Sequence, residues 1–249
     1  MPPSFPSAAD SARRILSLLD LTNLDEDARP AQIEDLCARA QRHGAVAAVC
    51  VYPEHVTTAQ RSLAGSPIRI ATVVNFPDAG ADPQRAARET RRALAAGADE
   101  IDLVMPWPAF CRGELDKVRA VLAATREACA DGQPIKLILE TGELATAGRI
   151  RAAAVLGIAA GMDFLKTSTG KVPVNATPEA ATILLDVIAA HGGRCGFKAA
   201  GGVRNLADAE TYLAIARSRL GDDWINPAHF RIGASSLYQA LLPLLAGPA

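Results

Sequence analysis

Residues 163–202 read DFLKTSTGKVPVNATPEAATILLDVIAAHGGRCGFKAAGG and predict the repeating unit of the fold. Two short apolar runs, Asp163–Thr167 and Gly196–Ala200, lie at the ends of this stretch. Between them Thr177-Pro178-Glu179 is a good helix start, because a hydroxyl caps the first turn, Pro suits its first position and an acid favours the positive end of the helix dipole. The stretch therefore predicts a strand, a helix and a second, parallel strand.

The same alternation extends over the whole chain of 249 residues. Helical spacing appears in Pro83–Ala96, which Gly97 closes, and in Leu115–Ala130. The other predicted strands are Leu18–Thr22, Ala45–Tyr52, Arg69–Asn75, Glu100–Met105, Ile135–Glu140 and Phe230–Ile232. Eight strands alternating with helices in about 250 residues predict an α/β fold, a single (β/α)8 TIM barrel over residues 1–249. Because Pro and Ser dominate the first nine residues, we expect those to be disordered.

The alternative to a barrel is an open, doubly wound sheet. The barrel is favoured because no Gly-rich dinucleotide turn follows an early strand, and because polar residues recur at the ends of many strands rather than near one crevice. The sequence also has no Gly-rich phosphate loop, and its four histidines have neither HxH nor HExxH spacing. We therefore expect neither a nucleotide cofactor nor a metal site.

Composition narrows the class of protein. The net charge of −1 gives no global field for nucleic acid or an anionic membrane, so an anionic ligand needs a local site. The five cysteines are scattered and odd in number, which is typical of reduced thiols in a cytoplasmic protein. The N-terminus lacks the pattern of a signal peptide, and the longest uncharged apolar-rich stretch, Ala152–Met162, is too short to cross a membrane.

Side-chain parity places two ionisable groups inside the predicted barrel. Ile101 and Leu103 share the face that suits packing against helices, so Asp102 points to the interior. On a later strand Phe197 faces the helices and Lys198 points inward. Such groups are costly to bury unless they pair or take part in chemistry.

Lys166 closes a hydrophobic strand, where an ammonium loses hydration. Desolvation lowers a lysine pKa, and a neutral amine is a nucleophile toward carbonyls. The alternative is a strand-end lysine that reaches solvent. Lys198 on the next strand favours the interpretation of Lys166 as a nucleophile. Two ammonium groups about 6 Å apart repel by roughly 3 kcal/mol, which lowers the pKa of one of them by about two units. We expect Lys198 to stay charged beside Asp102; a purely structural ion pair of those two would leave Lys166 unexplained.

Glycines and hydroxyls follow the last two predicted strands. A phosphate site in TIM barrels is often built from these two loops, where backbone amides and hydroxyls approach the anion. Lys171, in the turn after the sixth strand, could supply positive charge. The candidate phosphate-binding residues are Gly170, Lys171, Gly201, Gly202, Gly233, Ser235 and Ser236.

With these residues the chain resembles the 2-deoxyribose-5-phosphate aldolase family of class I, Schiff-base aldolases. The KTSTGK at Lys166–Lys171 and the GFKAAGG at Gly196–Gly202 are highly specific together. The resemblance continues through Leu19–Thr22, Val49–Pro53, Asn75–Pro77, Glu100–Asp102, Glu140–Leu144, Val174–Glu179, Gly201–Arg204 and Gly233–Ser236.

The resemblance implies that Lys166 forms an imine with the aldehyde of deoxyribose 5-phosphate, and that retro-aldol cleavage releases glyceraldehyde 3-phosphate and acetaldehyde. Asp102, Lys198 and an ordered water would move the protons. By the same resemblance Asp20 and Thr169 contact substrate hydroxyls, and Cys50 and Asn75 line the pocket. The implied partner is a small phosphorylated sugar, and the implied assembly is a homodimer.

Two other functions stay open at this point. One is another Schiff-base aldolase or a transaldolase with a different donor, and the other is a sugar-phosphate-binding barrel without catalysis.

The sequence also departs from the family pattern. Some members end in a tail whose final tyrosine assists proton transfer, whereas Leu245–Ala249 has no tyrosine. We therefore expect enamine protonation to be slower or to follow a different route.

Overall fold

A computed structural model describes residues 7–129 and 132–245, in which eight parallel strands close into a barrel in sequence order. The strands are β1 (Leu19–Asn23), β2 (Ala48–Val51), β3 (Arg69–Val74), β4 (Glu100–Val104), β5 (Ile135–Ile138), β6 (Phe164–Lys166), β7 (Gly196–Ala200) and β8 (Phe230–Ala234). The barrel closes between β1 and β8, where Leu19 pairs with Ile232 and Leu21 with Ala234. The TIM-barrel prediction is therefore confirmed, and the open sheet is excluded.

Helices connect the strands and cover the outside of the barrel. They are α1 (Ala8–Ser17), α2 (Pro30–Gln41), α3 (Val56–Ser62), α4 (Pro83–Ala95), α5 (Trp107–Cys111), α6 (Leu115–Ala128), α7 (Thr141–Leu144), α8 (Ala147–Ala159), α9 (Pro178–Ala190), α10 (Leu206–Leu220) and α11 (Leu237–Leu245), with a short 3-10 helix at Pro53–His55. Thr177 caps α9 as predicted, because its Oγ1 accepts from the Ala180 amide at 3.1 Å. None of the helices in the described residues is long and apolar enough to cross a membrane.

The expectation of disorder in the first nine residues is wrong at residues 7–9, while residues 1–6 lie outside the described residues. Ser7 caps α1, because its hydroxyl accepts from the Asp10 amide at 3.1 Å. Ile15 and Leu16 of that helix are buried in the core. Burial of this apolar face stabilises a helix that composition alone did not indicate.

Strand parity divides the core into two parts. Ile101, Leu103 and Phe197 pack in the apolar layer between strands and helices, as predicted. The barrel interior holds two small apolar clusters, formed by Ala48, Cys50, Ala71 and Val73 and by Ala79, Val104 and Ile138. TIM-barrel interiors are usually filled by branched apolar side chains, but much of this one is occupied by ionisable groups. Because burying an unpaired ion costs several kcal/mol, those groups must pair with one another.

Candidate active site

Lys166, Lys198 and Asp102 meet inside the barrel. Lys166 and Lys198 are register partners on β6 and β7, and each Nζ donates to Asp102 Oδ2 at 2.7 Å. All three side chains are buried. Since both nitrogens contact one oxygen, they lie no farther apart than twice that distance, which is closer than the separation of about 6 Å used for the sequence argument.

Lys136 belongs to the same group, although the sequence reasoning missed it. It is fully buried on β5 beside Asp102, its register partner on β4. Its Nζ lies 2.9 Å from Asp102 Oδ1 and 2.6 Å from Glu100 Oε2. The signal was available, because Lys136 alternates with Ile135 and Leu137, which face the helices.

Asp20 and Arg231 complete the charged group from the two strands that close the barrel. Asp20 Oδ2 accepts from Lys198 Nζ at 2.5 Å, and Asp20 Oδ1 accepts from Arg231 Nη1 at 2.7 Å. Arg231 Nη2 in turn donates to Glu100 Oε1 at 2.9 Å. Arg231 and Glu100 were also missed, and the parity of β8 and β4 was again the available signal. We call Asp20, Glu100, Asp102, Lys136, Lys166, Lys198 and Arg231 the interior cluster.

The interior cluster contains three carboxyl groups and four basic groups. If every member were charged, the cluster would carry one excess positive charge in a buried space. One neutral base balances it, and the surroundings favour Lys166 in that role. Burial lowers the pKa of Lys166, and the positive charge of Lys198 adds to this effect against the opposing attraction of Asp102.

Two neighbours in the interior cluster, Lys198 and Asp102, have pKa values shifted in favour of their charged forms. Burial alone would lower the pKa of Lys198, but Asp102 and Asp20 outweigh it and raise that pKa. Burial alone would raise the pKa of Asp102, but Lys136, Lys166 and Lys198 outweigh it and hold that pKa well below the usual range. The geometry therefore provides one amine that can be neutral, next to a fixed cation and a fixed anion.

A cavity of about 500 Å³ opens above the interior cluster at the carboxyl ends of the strands. Lys166 and Thr169 line it. Every candidate phosphate-binding residue lines it as well: Gly170, Lys171, Gly201, Gly202, Gly233, Ser235 and Ser236, which we call the rim residues. Helix α11 begins directly after Ser236, so its N-terminus favours an anion at this place.

Two rim glycines are required by close approach. Gly201 has a φ of +83°, and a Cβ there would lie 2.7 Å from the Asn175 side chain. At Gly233 a Cβ would lie 2.9 Å from Lys198 Cε. Gly233 therefore makes room for Lys198 in addition to lining the cavity.

The cation of the rim, Lys171, already has partners. Its Nζ donates to the Leu24 carbonyl at 2.8 Å and lies 5.9 Å from the centre of the Tyr52 ring. The ammonium is thus held at the cavity wall by one neutral acceptor and one aromatic face. No carboxylate of the described residues pairs with it.

Three residues expected to contact substrate lie away from the cavity wall formed by the described residues. Both oxygens of Asp20 are taken by the cations of the interior cluster. Cys50 is fully buried in the barrel interior, where desolvation raises the pKa of its thiol. The side-chain Nδ2 of Asn75 donates to the carbonyls of Gly80 at 2.8 Å and Val104 at 3.0 Å, so it holds the loop after β3.

Metal binding has no cluster to support it in residues 7–129 and 132–245. No group of three or more His, Cys, Asp or Glu side chains is arranged there to hold an ion. The acidic oxygens of the interior cluster instead face lysine and arginine nitrogens.

The sequence and fold were compared with those of known proteins. Residues 14–240 match the model of the DeoC/LacD family aldolases. A deoxyribose-phosphate aldolase of Agrobacterium fabrum is 47% identical over 240 residues, which cover 96% of this chain and 93% of that protein.

Solved structures agree with the fold. A candidate deoxyribose-phosphate aldolase from Coccidioides immitis superposes with a TM-score of 0.83 at 30% identity, covering 96% of this chain and 88% of that one. The deoxyribose phosphate aldolase of Aeropyrum pernix, described as having a unique tetrameric structure, gives a TM-score of 0.77 over 98% of this chain and 99% of that one. At 23% identity the latter likeness concerns the fold alone.

Proposed function

Because the chain belongs to the DeoC/LacD family of aldolases, we propose that it cleaves 2-deoxy-D-ribose 5-phosphate reversibly into glyceraldehyde 3-phosphate and acetaldehyde. It is an aldolase, and therefore a carbon–carbon lyase. Lys166 is the nucleophile in this proposal, and Asp102 and Lys198 are its catalytic partners.

One observation carries the assignment of Lys166. Its Nζ shares Asp102 Oδ2 with the Nζ of Lys198 at 2.7 Å each, beneath a cavity large enough for a small phosphorylated sugar. A neutral Lys166 balances the charge of the interior cluster and keeps a lone pair for attack on a carbonyl carbon. A lysine that merely closed a strand would gain nothing from a second buried lysine at this distance.

The reaction begins when the neutral amine of Lys166 attacks the C1 aldehyde of the open-chain sugar. Loss of water from the carbinolamine leaves an iminium, which can accept the electron pair of the C2–C3 bond. Removal of the proton from the C3 hydroxyl breaks the C2–C3 bond, releases glyceraldehyde 3-phosphate and leaves an enamine on Lys166. Protonation of the enamine at C2 and hydrolysis of the imine release acetaldehyde and restore the amine.

In this proposal Asp102 and Lys198 move the protons of these steps through an ordered water. Asp102 contacts Lys166 directly, and Lys198 is held by Asp102 and Asp20 together. The carboxylate also stabilises the iminium by direct opposition of charge.

The rim residues hold the phosphate in this proposal. Backbone amides of Gly170, Gly201 and Gly202, the hydroxyls of Ser235 and Ser236 and the start of α11 supply donors, and Lys171 supplies the charge. Thr169 lines the cavity together with Lys166 and these residues, and we assign it to a substrate hydroxyl.

Borohydride reduction in the presence of deoxyribose 5-phosphate tests this function directly. We expect a stable two-carbon adduct on Lys166 by mass spectrometry after cleavage, and release of glyceraldehyde 3-phosphate. The chain without substrate and the Lys166→Met variant are the controls. Absence of an adduct on Lys166 would point to a sugar-phosphate binder, whereas an adduct from a donor other than acetaldehyde would point to another Schiff-base aldolase.

The cellular setting and assembly are also proposals. All five cysteines are free, which fits a reducing compartment such as the cytoplasm.

We propose a homodimer, since relatives of this fold form oligomers, as in the tetramer described for Aeropyrum pernix. Light scattering coupled to gel filtration would show a mass of two chains; a mass of one or four chains would contradict the dimer.

A further inference from the structure

Glu140 is a buried carboxylate of the active-site region that the reaction above does not use. It follows β5 and lies next to Thr169 of the loop after Lys166. Its Oε2 accepts from Thr169 Oγ1 at 2.6 Å, and the Thr169 amide donates to Oε1 at 3.2 Å. Only 1% of Glu140 is exposed, so the carboxylate is committed to this contact.

The backbone of Glu140 is held in a conformation that side chains rarely adopt. Its φ of 56° and ψ of 61° are left-handed, although the residue is not glycine. The residues on both sides are fixed, because the Leu139 amide donates to the Lys166 carbonyl and the Thr141 amide to the Thr167 carbonyl, each at 2.9 Å. The turn thereby directs the carboxylate at the loop that follows the nucleophile, and such strain is common at functional sites.

Glu140 decides how Thr169 can bond to a ligand. Burial raises the pKa of Glu140, and the hydrogen bonds from Thr169 oppose that effect. In its ionised form the carboxylate only accepts hydrogen bonds, so the hydroxyl proton of Thr169 then points to Glu140. One lone pair of Thr169 Oγ1 accepts from the Lys171 amide at 3.0 Å. A single lone pair remains for the cavity that Thr169 lines, and it can bind only a donor.

The proposed substrate offers such a donor at the corresponding place. With C1 on Lys166 and the phosphate at the rim residues, the middle of the sugar lies beside Thr169. The C3 hydroxyl must give up its proton during cleavage, and the groups near Lys166 take it. The C4 hydroxyl is therefore the donor that remains for Thr169.

We propose that Glu140 is a positioning residue that makes Thr169 an acceptor for the C4 hydroxyl of the substrate. This inference rests on the proposed function and adds a source of selectivity to it. In the synthetic direction the same hydroxyl lies on the carbon next to the aldehyde of the acceptor. Glu140, acting through Thr169, selects acceptor aldehydes that carry it.

The test compares two acceptors with acetaldehyde as donor at pH 8: D-glyceraldehyde 3-phosphate and 3-oxopropyl phosphate, which lacks the hydroxyl. The measured quantity is the ratio of their kcat/KM values. In Glu140→Gln the amide donates to Thr169 Oγ1 and turns the threonine proton toward the substrate, so we expect the ratio to fall about tenfold. Thr169→Val should lower the ratio by a similar factor, and the double variant should lower it no further.

Matched variants separate positioning from folding. Glu143→Gln removes the same charge from helix α7 but leaves the contacts of Thr169 intact, so its ratio should equal that of the wild type. Thr169→Ser keeps the hydroxyl, so its ratio of kcat/KM values should stay close to that of the wild type. Comparison of Thr169→Ser with Thr169→Val therefore tests the inference even if the Glu140 variant does not fold.

Equal losses on both acceptors in Glu140→Gln, or an unchanged ratio in Thr169→Val, would overturn the inference while leaving the aldolase intact. A wild-type chain that forms the Lys166 adduct but shows no preference would do the same. A wild-type chain that is inactive on both acceptors and forms no adduct would overturn the proposed function, and this inference with it.

Discussion

In the barrel interior, charged side chains from six strands are buried and bonded to one another at 2.5–3.2 Å. The rim residues differ from this cluster in exposure and in chemistry. Many of them are exposed, four of the seven are glycines, and they present backbone amides and hydroxyls to the cavity. The interior cluster spans positions as far apart as Asp20 and Arg231, whereas the rim residues come from three short segments, the last of which begins inside β8.

The interior cluster sets the reactivity of Lys166, whereas the rim residues are proposed to recognise the phosphate. The pKa of Lys166 depends on groups that are dry, fixed and unable to leave, because any loss there exposes an unpaired ion to a low-dielectric surrounding. In the proposed function phosphate binding depends on donors that water can also satisfy, so single losses should be milder.

Replacing the nucleophile should have the largest effect. We expect Lys166→Met to reduce kcat/KM by on the order of 10⁴ or more, because Lys171, the other lysine among the described residues that line the cavity, lies at the rim and outside the interior cluster. The folded state should persist, since the variant removes a base that is neutral in the proposed mechanism. Circular dichroism and the retro-aldol rate check this; appreciable turnover by a folded Lys166→Met would mean that the interior cluster does not house the nucleophile.

A substitution in the part of the interior cluster that lies away from the cavity should lower the free energy of unfolding. Lys136→Met removes a buried cation that Glu100 and Asp102 share, and we expect the free energy of unfolding to fall by about 3–5 kcal/mol. Urea titration measures it. Lys117→Met, at a lysine that is 61% exposed and paired on the surface, is the control and should change little. A loss at Lys136 as small as that at Lys117 would contradict the role given to the cluster.

The pH dependence should report the repulsion between the two lysines. Only neutral Lys166 attacks, so the rate of imine formation rises as pH rises through its pKa, which burial and Lys198 hold below the usual lysine value. Lys198→Met removes that repulsion and should move this limb to higher pH by about one to two units. Borohydride trapping as a function of pH measures imine formation separately from later proton transfer. An unmoved limb, or one at lower pH, would remove Lys198 as the cause.

A single change at the rim should have the smallest effect. Ser235→Ala removes one donor to the phosphate, and we expect KM for deoxyribose 5-phosphate to rise about tenfold to a hundredfold. The kinetics of unphosphorylated deoxyribose should not change. Equal losses for both sugars would mean that Ser235 supports the barrel rather than the anion.

The comparison also shows where sequence reasoning worked. Alternation along β4 and β7 placed Asp102 and Lys198 inside the barrel, and the same rule applied to β5 and β8 would have found Lys136 and Arg231. The glycines and serines of the rim were proposed because they follow predicted strands. In the structure Gly201 and Ser235 directly follow β7 and β8, whereas Gly233 lies inside β8. Asp20 and Asn75 were assigned to the substrate by resemblance, but in the structure both carboxylate oxygens of Asp20 and the side-chain nitrogen of Asn75 bond to protein partners.

The amino-acid sequence by itself determined the eight strands, the barrel, the inward direction of the key side chains and the place of the rim, because each follows from a period of two or from the residues that start a helix and end a strand. Only the tertiary structure decided which charges share an oxygen and which lysine is left to be neutral. That outcome depends on closure of the barrel, which brings β1 and β8 beside each other and sets charges from distant positions in one small, dry volume where their energies cannot be assigned one at a time.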